Sequence, residues 1–299
     1  MTPTLATQLV REEISRLSAQ ALAFAALGRA LDVDNQRTLP TDVDRCVREV
    51  LAVLGVEDAL SALDASDART LLAELRVSSA THDQLLRGES PGWAPRDPNV
   101  LRAAGEATAR FAHTLKAMIG PELEGLLPRL NAPTARFLDI GCGVGALSIE
   151  MARVFSTLRV VGVDIHEPAL LHARANVRNA GLEERVELRA EPAESLHDED
   201  AFDLVWLPGL FVSAASLRTI IHRSIVSLRS GGYLLCVALK QHGDALAVAA
   251  ARVRTAQWGG SMFSATDVGA TLKDAGFSNV RLLPNAPTNV TQLLAARKA

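Results

Sequence analysis

Thirty-one Lys and Arg against 34 Asp and Glu leave the 299 residues with a net charge of −3. No surplus of positive charge is available to neutralise a phosphate backbone, so a nucleic-acid partner is not expected. With 48% hydrophobic and 22% charged residues, the chain reads as an ordinary globular protein, long enough for two domains.

The longest apolar runs, Ala21 to Gly28 and Ala245 to Ala251, are far short of the ~18–20 residues that cross a bilayer, and no membrane association is expected. Arg11, Glu12 and Glu13 stand where a signal peptide would carry an apolar stretch. The three cysteines, Cys46, Cys142 and Cys236, are odd in number, scattered, and lack metal-ligand spacing. That pattern predicts neither a disulfide framework nor a zinc site, and fits a reducing cytoplasm. No metal centre is expected.

Taken from the N-terminus, the chain is first helical. Val10, Ile14, Leu17, Ala21, Phe24, Gly28 and Leu31 alternate in steps of four and three, which puts them on one face of a long helix. Such a stripe serves either the core of a helical bundle or a seam between subunits. Further helices are predicted near 42–54, 66–77 and 98–118, the last opened by Asp97-Pro98. Ahead of it lies a Pro- and Gly-punctuated loop carrying Trp93.

After Pro133 the texture changes. Short β-rich runs at 136–140, 159–164, 186–189, 202–207 and 233–239 alternate with helical patterns at 145–155, 167–180 and 214–228. This alternation predicts parallel βαβ units, and thus an open, doubly wound Rossmann-like sheet covered on both faces. The runs 280–283 and 292–296 have no helix between them, so an antiparallel hairpin is predicted at the sheet's edge. The expected architecture is α/β: an all-α domain over 1–132 and a mostly parallel sheet domain over 133–299.

The informative stretch is Phe137-Leu-Asp139-Ile-Gly141-Cys-Gly143-Val-Gly145-Ala-Leu-Ser148, running from strand through glycine turn into helix. Glycine at these positions lets a ligand approach the main chain with no Cβ in the way, and the amides opening the next helix can meet an acceptor. Alone, Gly141-x-Gly143-x-x-Ala146 also satisfies a relaxed dinucleotide fingerprint, followed by Asp164 at the close of the second strand. An NAD-dependent oxidoreductase is thus one reading of the turn. Gly145 two residues after Gly143, and Asp139 two residues before Gly141, argue against it, because a pyrophosphate would be repelled by that acid.

Together with Glu191-Pro192-Ala193-Glu194, Phe202-Asp-Leu-Val-Trp206, Leu228-Arg-Ser-Gly231-Gly232 and Asp274-Ala-Gly-Phe277, the turn resembles class I S-adenosylmethionine (SAM)-dependent methyltransferases. The resemblance spans about 133–299. Its Asp-x-Gly-x-Gly-x-Gly motif is complete at 139–145, whereas Ser230 replaces a usual Pro.

The resemblance implies SAM as cofactor, and roles for the matching residues. Gly141, Gly143 and Gly145 would border the methionine part, ordered by Asp139. Asp164 would hold the ribose hydroxyls, with Ile165 on the adenine face. Glu191, Pro192 and Ala193 would meet the adenine edge, and the main chain of Leu207 and Pro208 would border the methyl group. Loop aromatics Trp93, Trp206, Phe211, Trp258 and Phe263 are candidates for an acceptor pocket.

The catalytic His of plant-type O-methyltransferases has no counterpart: counting back from Gly231 lands on Phe211. His242, after the fifth strand, is a weak candidate base, and the catalytic group stays unassigned. The expected function is methylation of a small aromatic molecule of secondary metabolism, at oxygen. N- or C-methylation, or SAM binding without turnover, are the alternatives. The helical extension is expected to lid the site and to support a homodimer.

Overall fold

The computed structural model describes residues 3–35, 38–90, 92, 98–284 and 290–299. It divides into two compact units, Met1–Ala80 and Thr81–Ala299.

In the first unit, α1 (Pro3–Leu31), α2 (Thr41–Leu54), α3 (Glu57–Ala62) and most of α4 (Ala65–Leu86) gather a small core of Leu31, Ala68 and Leu72. Gly55, in the left-handed conformation at φ +66°, ends α2. An open apolar hollow of about 360 Å³ lies among Leu27, Leu60, Leu71 and Leu75. Only the C-terminal end of the α1 stripe is buried: Leu31 is 3% exposed, whereas Val10, Ile14 and Leu17 are 60%, 58% and 44% exposed. Among the described residues the first half of the stripe is therefore not packed as a bundle core.

In the second unit, α5 (Pro98–Ala109), α6 (Phe111–Thr114), a π-helical turn (115–119), α7 (Gly120–Glu122) and α8 (Leu126–Leu130) precede the sheet. The alternating strands and helices follow as β1 (Arg136–Ile140), α9 (Ala146–Val154), β2 (Arg159–Asp164), α10 (Glu167–Asn179), β3 (Val186–Ala190), β4 (Phe202–Leu207), α11 (Ala214–Ser227) and β5 (Leu228–Leu239). Two helices absent from the sequence reading come next, α12 (Ala245–Gln257) and α13 (Ala265–Asp274), before β6 (Ser278–Leu282) and β7 (Thr291–Arg297).

The strand order is β3-β2-β1-β4-β5-β7-β6. β1 to β5 run parallel; β7 pairs antiparallel with both β5 and β6, so the predicted hairpin closes the sheet. The central strands are buried along their length, as near-continuous apolar runs require when both faces are covered.

One face packs Phe137, Met151, Phe155, Leu204 and Leu235 with Leu115, Leu126 and Leu130 from the segment before β1. Those helices belong to the sheet's own core, which is why the compact unit starts at Thr81, well before the change of texture at Pro133. The other face packs Leu138, Val161, Phe202, Val205 and Leu234 under Ile220 and Ile221 of α11 and Leu272 of α13. Fully burying each such side chain contributes about 1.5–3 kcal/mol.

Connections leave β1 toward β2 on one side and return to β4 on the other. The crevice beyond the carboxyl ends of β1 and β4 is the topological switch point, where open α/β sheets hold ligands.

Candidate active site

At that switch point the chain turns through Gly141, Gly143 and Gly145, all with left-handed φ (+69°, +54° and +76°). The turn is pinned by its own backbone: Gly141 and Cys142 N–H donate to the Val163 carbonyl (2.8 and 3.1 Å), and Gly145 N–H to the Cys142 carbonyl (2.8 Å). Asn176 of α10 adds a side-chain bond from Nδ2 to the Val144 carbonyl at 3.0 Å.

The three glycines serve different ends. A Cβ on Gly145 would come within 3.3 Å of Ala173 Cβ, so this glycine permits α9 and α10 to approach. A Cβ on Gly143 would meet nothing within 4 Å. That open space is where a ligand would lie. A Cβ on Gly141 would be 3.6 Å from Pro208 Cγ, which puts the end of β4 beside the turn.

Asp164 closes β2 and is 9% exposed. Its Oδ2 accepts the Gly143 N–H and its Oδ1 accepts the His166 N–H, both at 2.8 Å. Each carboxylate oxygen has a second lone pair, so both remain able to accept a ligand hydroxyl.

Asp139, 2% exposed in β1, accepts a hydrogen bond from Ser148 Oγ at 2.6 Å. It thus fastens β1 to the first turn of α9 and acts on the helix start more directly than on the turn. Burial pushes its carboxyl up to about 7, with the Asp164 charge adding to the rise and the Ser148 bond opposing it. The Cys142 thiol is likewise raised by burial, and by both carboxylates. Burial also pushes the Cys236 thiol up to about 12. Burial thus favours the protonated form of both thiols.

Further along the sheet edge, Ile165 is 78% exposed directly after Asp164, a bare apolar surface at the position expected to face an adenine. Glu191 follows β3. Its Oε1 is buried with no hydrogen bond, although Arg189 Nη1 lies at ion-pair distance, 3.6 Å. Arg189 is committed instead to Glu187 and Asp198, each at 2.7 Å, and these pairs raise its already high affinity for its proton. Glu191 Oε1 thus has acceptor capacity that an amino group could use. His166 Nε2 is also buried without a partner. Pro192 is exposed and Ala193 buried in a short 3-10 turn. These features fit SAM: an open glycine cradle, a carboxylate with spare lone pairs, an uncovered Ile and an orphaned acceptor.

The predicted acceptor aromatics separate. Phe211, 39% exposed in the turn after β4, stacks on Trp258, 5% exposed at the end of α12 (centroids 5.2 Å apart, planes at 29°). Gly260 makes this meeting possible, since a Cβ there would fall 1.6 Å from the Leu210 carbonyl oxygen. Gly92 N–H donates to the Gln257 carbonyl (2.9 Å), and Gln257 Nε2 to the Glu89 carbonyl (3.0 Å), so the segment before α5 adjoins the same place.

Trp206 is not at a pocket mouth. It points into the core against Phe111, with centroids 4.2 Å apart, because its place in β4 alternates with Val205 and Leu207 on the opposite face. Phe263 packs against the other core face. Trp93 lies outside the described residues. His242 sits exposed in the turn after β5. Among the described residues, no cluster of His, Cys, Asp and Glu could hold a metal ion, and no helix is long and apolar enough to cross a membrane.

Sequence reasoning missed Ser148 and Asn176. Ser148 reaches back to Asp139 in β1 and Asn176 to the Val144 carbonyl in the turn, contacts that only the packing of α9 and α10 creates.

Comparison with known proteins agrees with this geometry. Residues 137–232, about a third of the chain, match a family model described as a methyltransferase domain. A probable cobalt-precorrin-6B C(15)-methyltransferase (decarboxylating) from Methanosarcina mazei is 37% identical over 70 residues, covering 23% of this chain and 38% of the relative. A ubiquinone biosynthesis O-methyltransferase from Ruegeria sp. is 33% identical over 124 residues, covering 40% of this chain and 49% of the relative. The chain thus spans half or less of the length of these curated relatives. In fold, it is similar to an O-methyltransferase family protein from Burkholderia thailandensis (TM-score 0.64, 18% identity, 100% of this chain and 99% of that one). Residues 137–232 of the chain thus carry a methyltransferase domain, set in a mostly parallel sheet similar in fold to that O-methyltransferase family protein.

Proposed function

We propose that the protein transfers a methyl group from SAM to a small, flat aromatic acceptor, at oxygen. The observation that carries the reading is the pair of buried carboxylates, Asp139 and Asp164, flanking one glycine turn with no ion-pair partner among the described residues. A charged Asp164 beside a buried acid that ionises only when a cation arrives favours a cationic ligand over a diphosphate, which supports SAM over a nicotinamide dinucleotide.

When bound, the cofactor supplies a methyl group activated by positive sulfur, open to in-line displacement. The chain's part is alignment and exclusion of water, which carry much of the rate in such transfers. In this reading Asp164 holds the ribose hydroxyls while keeping Gly143 in place. Ile165 covers the adenine face, Glu191 Oε1 accepts from its amino group, and Pro192 and Ala193 line that edge. The backbone from Gly141 to Gly145 and the Leu207–Pro208 segment border the methionine part and the methyl group.

Phe211, backed by the buried Trp258, presents a ring face for a flat acceptor, worth about 0.5–1.5 kcal/mol beyond area burial. A phenol or carboxylate acceptor needs little proton removal, and His242 is available at the carboxyl end of the sheet. The O-methyltransferase name of the Ruegeria relative favours oxygen. The name of the Methanosarcina relative favours carbon as the second reading.

Within residues 1–132, the helices not committed to the sheet's core are proposed to lid the site and to pair two copies. The exposed Val10, Ile14 and Leu17 on α1 support pairing, and the bonds of Glu89 and Gly92 to Gln257 support a cover beside Trp258. The free, separate cysteines are in keeping with a cytoplasmic setting.

Incubation with methyl-labelled SAM and a panel of phenols, hydroxyquinones, aromatic amines and corrinoid precursors tests the reading. Label on a phenolic oxygen supports it. Label on carbon or nitrogen alone overturns the choice of atom, and no transfer by a protein that binds SAM overturns turnover.

A further inference from the structure

Asp139 sits in β1, two residues before Gly141, and both the hydroxyl and the backbone N–H of Ser148 act on its carboxyl. Among the described residues, the groups facing it offer no positively charged side chain. From β2 comes Asp164, itself an acid; from the turn comes the Cys142 thiol, whose nearest influence of opposite sign is Arg174 on α10. Arg174 is paired with Glu167 at 2.6 Å. An isolated carboxylate buried beside a second one is costly, and such a group keeps its proton until a cation arrives.

We propose that Asp139 distinguishes the cationic cofactor from its neutral product by exchanging a proton for the cofactor's charge. In the free site Asp139 holds the proton, bonded to Ser148. With a sulfonium cofactor bound at the glycine turn, the carboxyl would release that proton to solvent and stand ionised, its charge balanced by the cofactor's. After methyl transfer the sulfur is an uncharged thioether, the carboxylate loses its counter-charge and is reprotonated, and the product is held less tightly. The raised proton affinity of the buried carboxyl puts this exchange in the neutral range. The inference rests on the SAM reading above. It goes further by assigning to one side chain the preference for cofactor over product.

The test is calorimetric titration of the full chain with SAM and with S-adenosylhomocysteine. Near pH ~6.5, in phosphate and in bis-Tris (buffers of different protonation enthalpy), SAM is expected to release about half to one proton more per site than S-adenosylhomocysteine. Between pH ~6 and ~8, the ratio of the two dissociation constants should move about tenfold in favour of SAM. The amino and carboxylate groups common to both ligands cancel in that ratio. Asp139→Asn, which keeps an oxygen to accept from Ser148, should flatten it.

Equal proton release and parallel pH profiles for the two ligands would overturn the proposal. The measurement on the unaltered chain decides even where the variant does not fold. Failure of the folded chain to bind SAM at any pH would instead overturn the underlying cofactor reading, so the two failures are distinct.

Discussion

The Gly143 N–H donates to the Asp164 carboxylate at 2.8 Å, which joins the acid closing β2 to the turn following β1. The same carboxylate that is proposed to hold a ribose therefore also holds the cradle beneath it. Replacing Asp164 with Ala removes both functions, and SAM affinity is expected to fall by about 1.5–3 kcal/mol or more. Asp164→Asn, with one acceptor oxygen left, should lose less. Calorimetric titration checks this, and an unchanged dissociation constant for Asp164→Ala would move the ribose elsewhere.

Gly143 and Gly260 separate a functional glycine from a structural one. Gly143→Ala meets no protein atom but carries a left-handed strain of about 1–2 kcal/mol and fills ligand space. It should weaken SAM at least tenfold with a modest fall in melting temperature. Gly260→Ala drives a methyl into the Leu210 carbonyl and should cost about 3 kcal/mol or more of stability. Melting curves and SAM titrations on both variants would contradict this assignment if the two effects were exchanged.

Asp139 also sets a pH dependence of folding. Its folded carboxyl lies near 7, above its unfolded value, so the native state binds more protons between about pH 4 and 7. Its contribution to stability is complete below the unfolded value and is lost as pH rises through 7, an effect of about 4 kcal/mol. Urea unfolding of wild type and Asp139→Asn at several pH values isolates this part. The variant is expected to gain stability relative to wild type as pH rises from 5 to 8; a constant difference would contradict the burial argument.

Phe211→Ala should lower kcat/KM for an aromatic acceptor about tenfold and leave SAM binding unaltered, because the ring faces outward on Trp258. Equal losses for acceptor and cofactor would point to collapse of the turn after β4.

Ile14→Glu combined with Leu17→Glu puts charge on the exposed half of the α1 stripe. Light scattering is expected to report a dimer for the unaltered chain and a monomer for the variant, with helical content preserved. A monomeric wild type would remove the pairing proposal.

Much of the sheet was legible because parallel strands buried on both faces leave unmistakable apolar runs. β1, β2 and β4 begin and end where those runs do. The glycine turn was legible for the same local reason: left-handed backbone at Gly141, Gly143 and Gly145 excludes most other residues. α12 and α13 were missed although both carry their own start signals, Asp244 accepting from Ala247 N–H and the Ser264–Asp267 capping box. Trp206 was misplaced because strand alternation, which decides the face, was not applied at the last residues of β4. The α1 stripe has the right period but is exposed along its first half among the described residues, and periodicity alone does not say whether a seam is filled from within or by another copy. The Ser148–Asp139 bond lay beyond reach, since it depends on how α9 packs on β1.

Titration of the full chain with SAM, S-adenosylhomocysteine and NAD at neutral pH tests the central claim most directly. The account predicts that SAM binds at one site per chain, that S-adenosylhomocysteine displaces it, and that NAD gives no heat. Binding of NAD with none of SAM would contradict it.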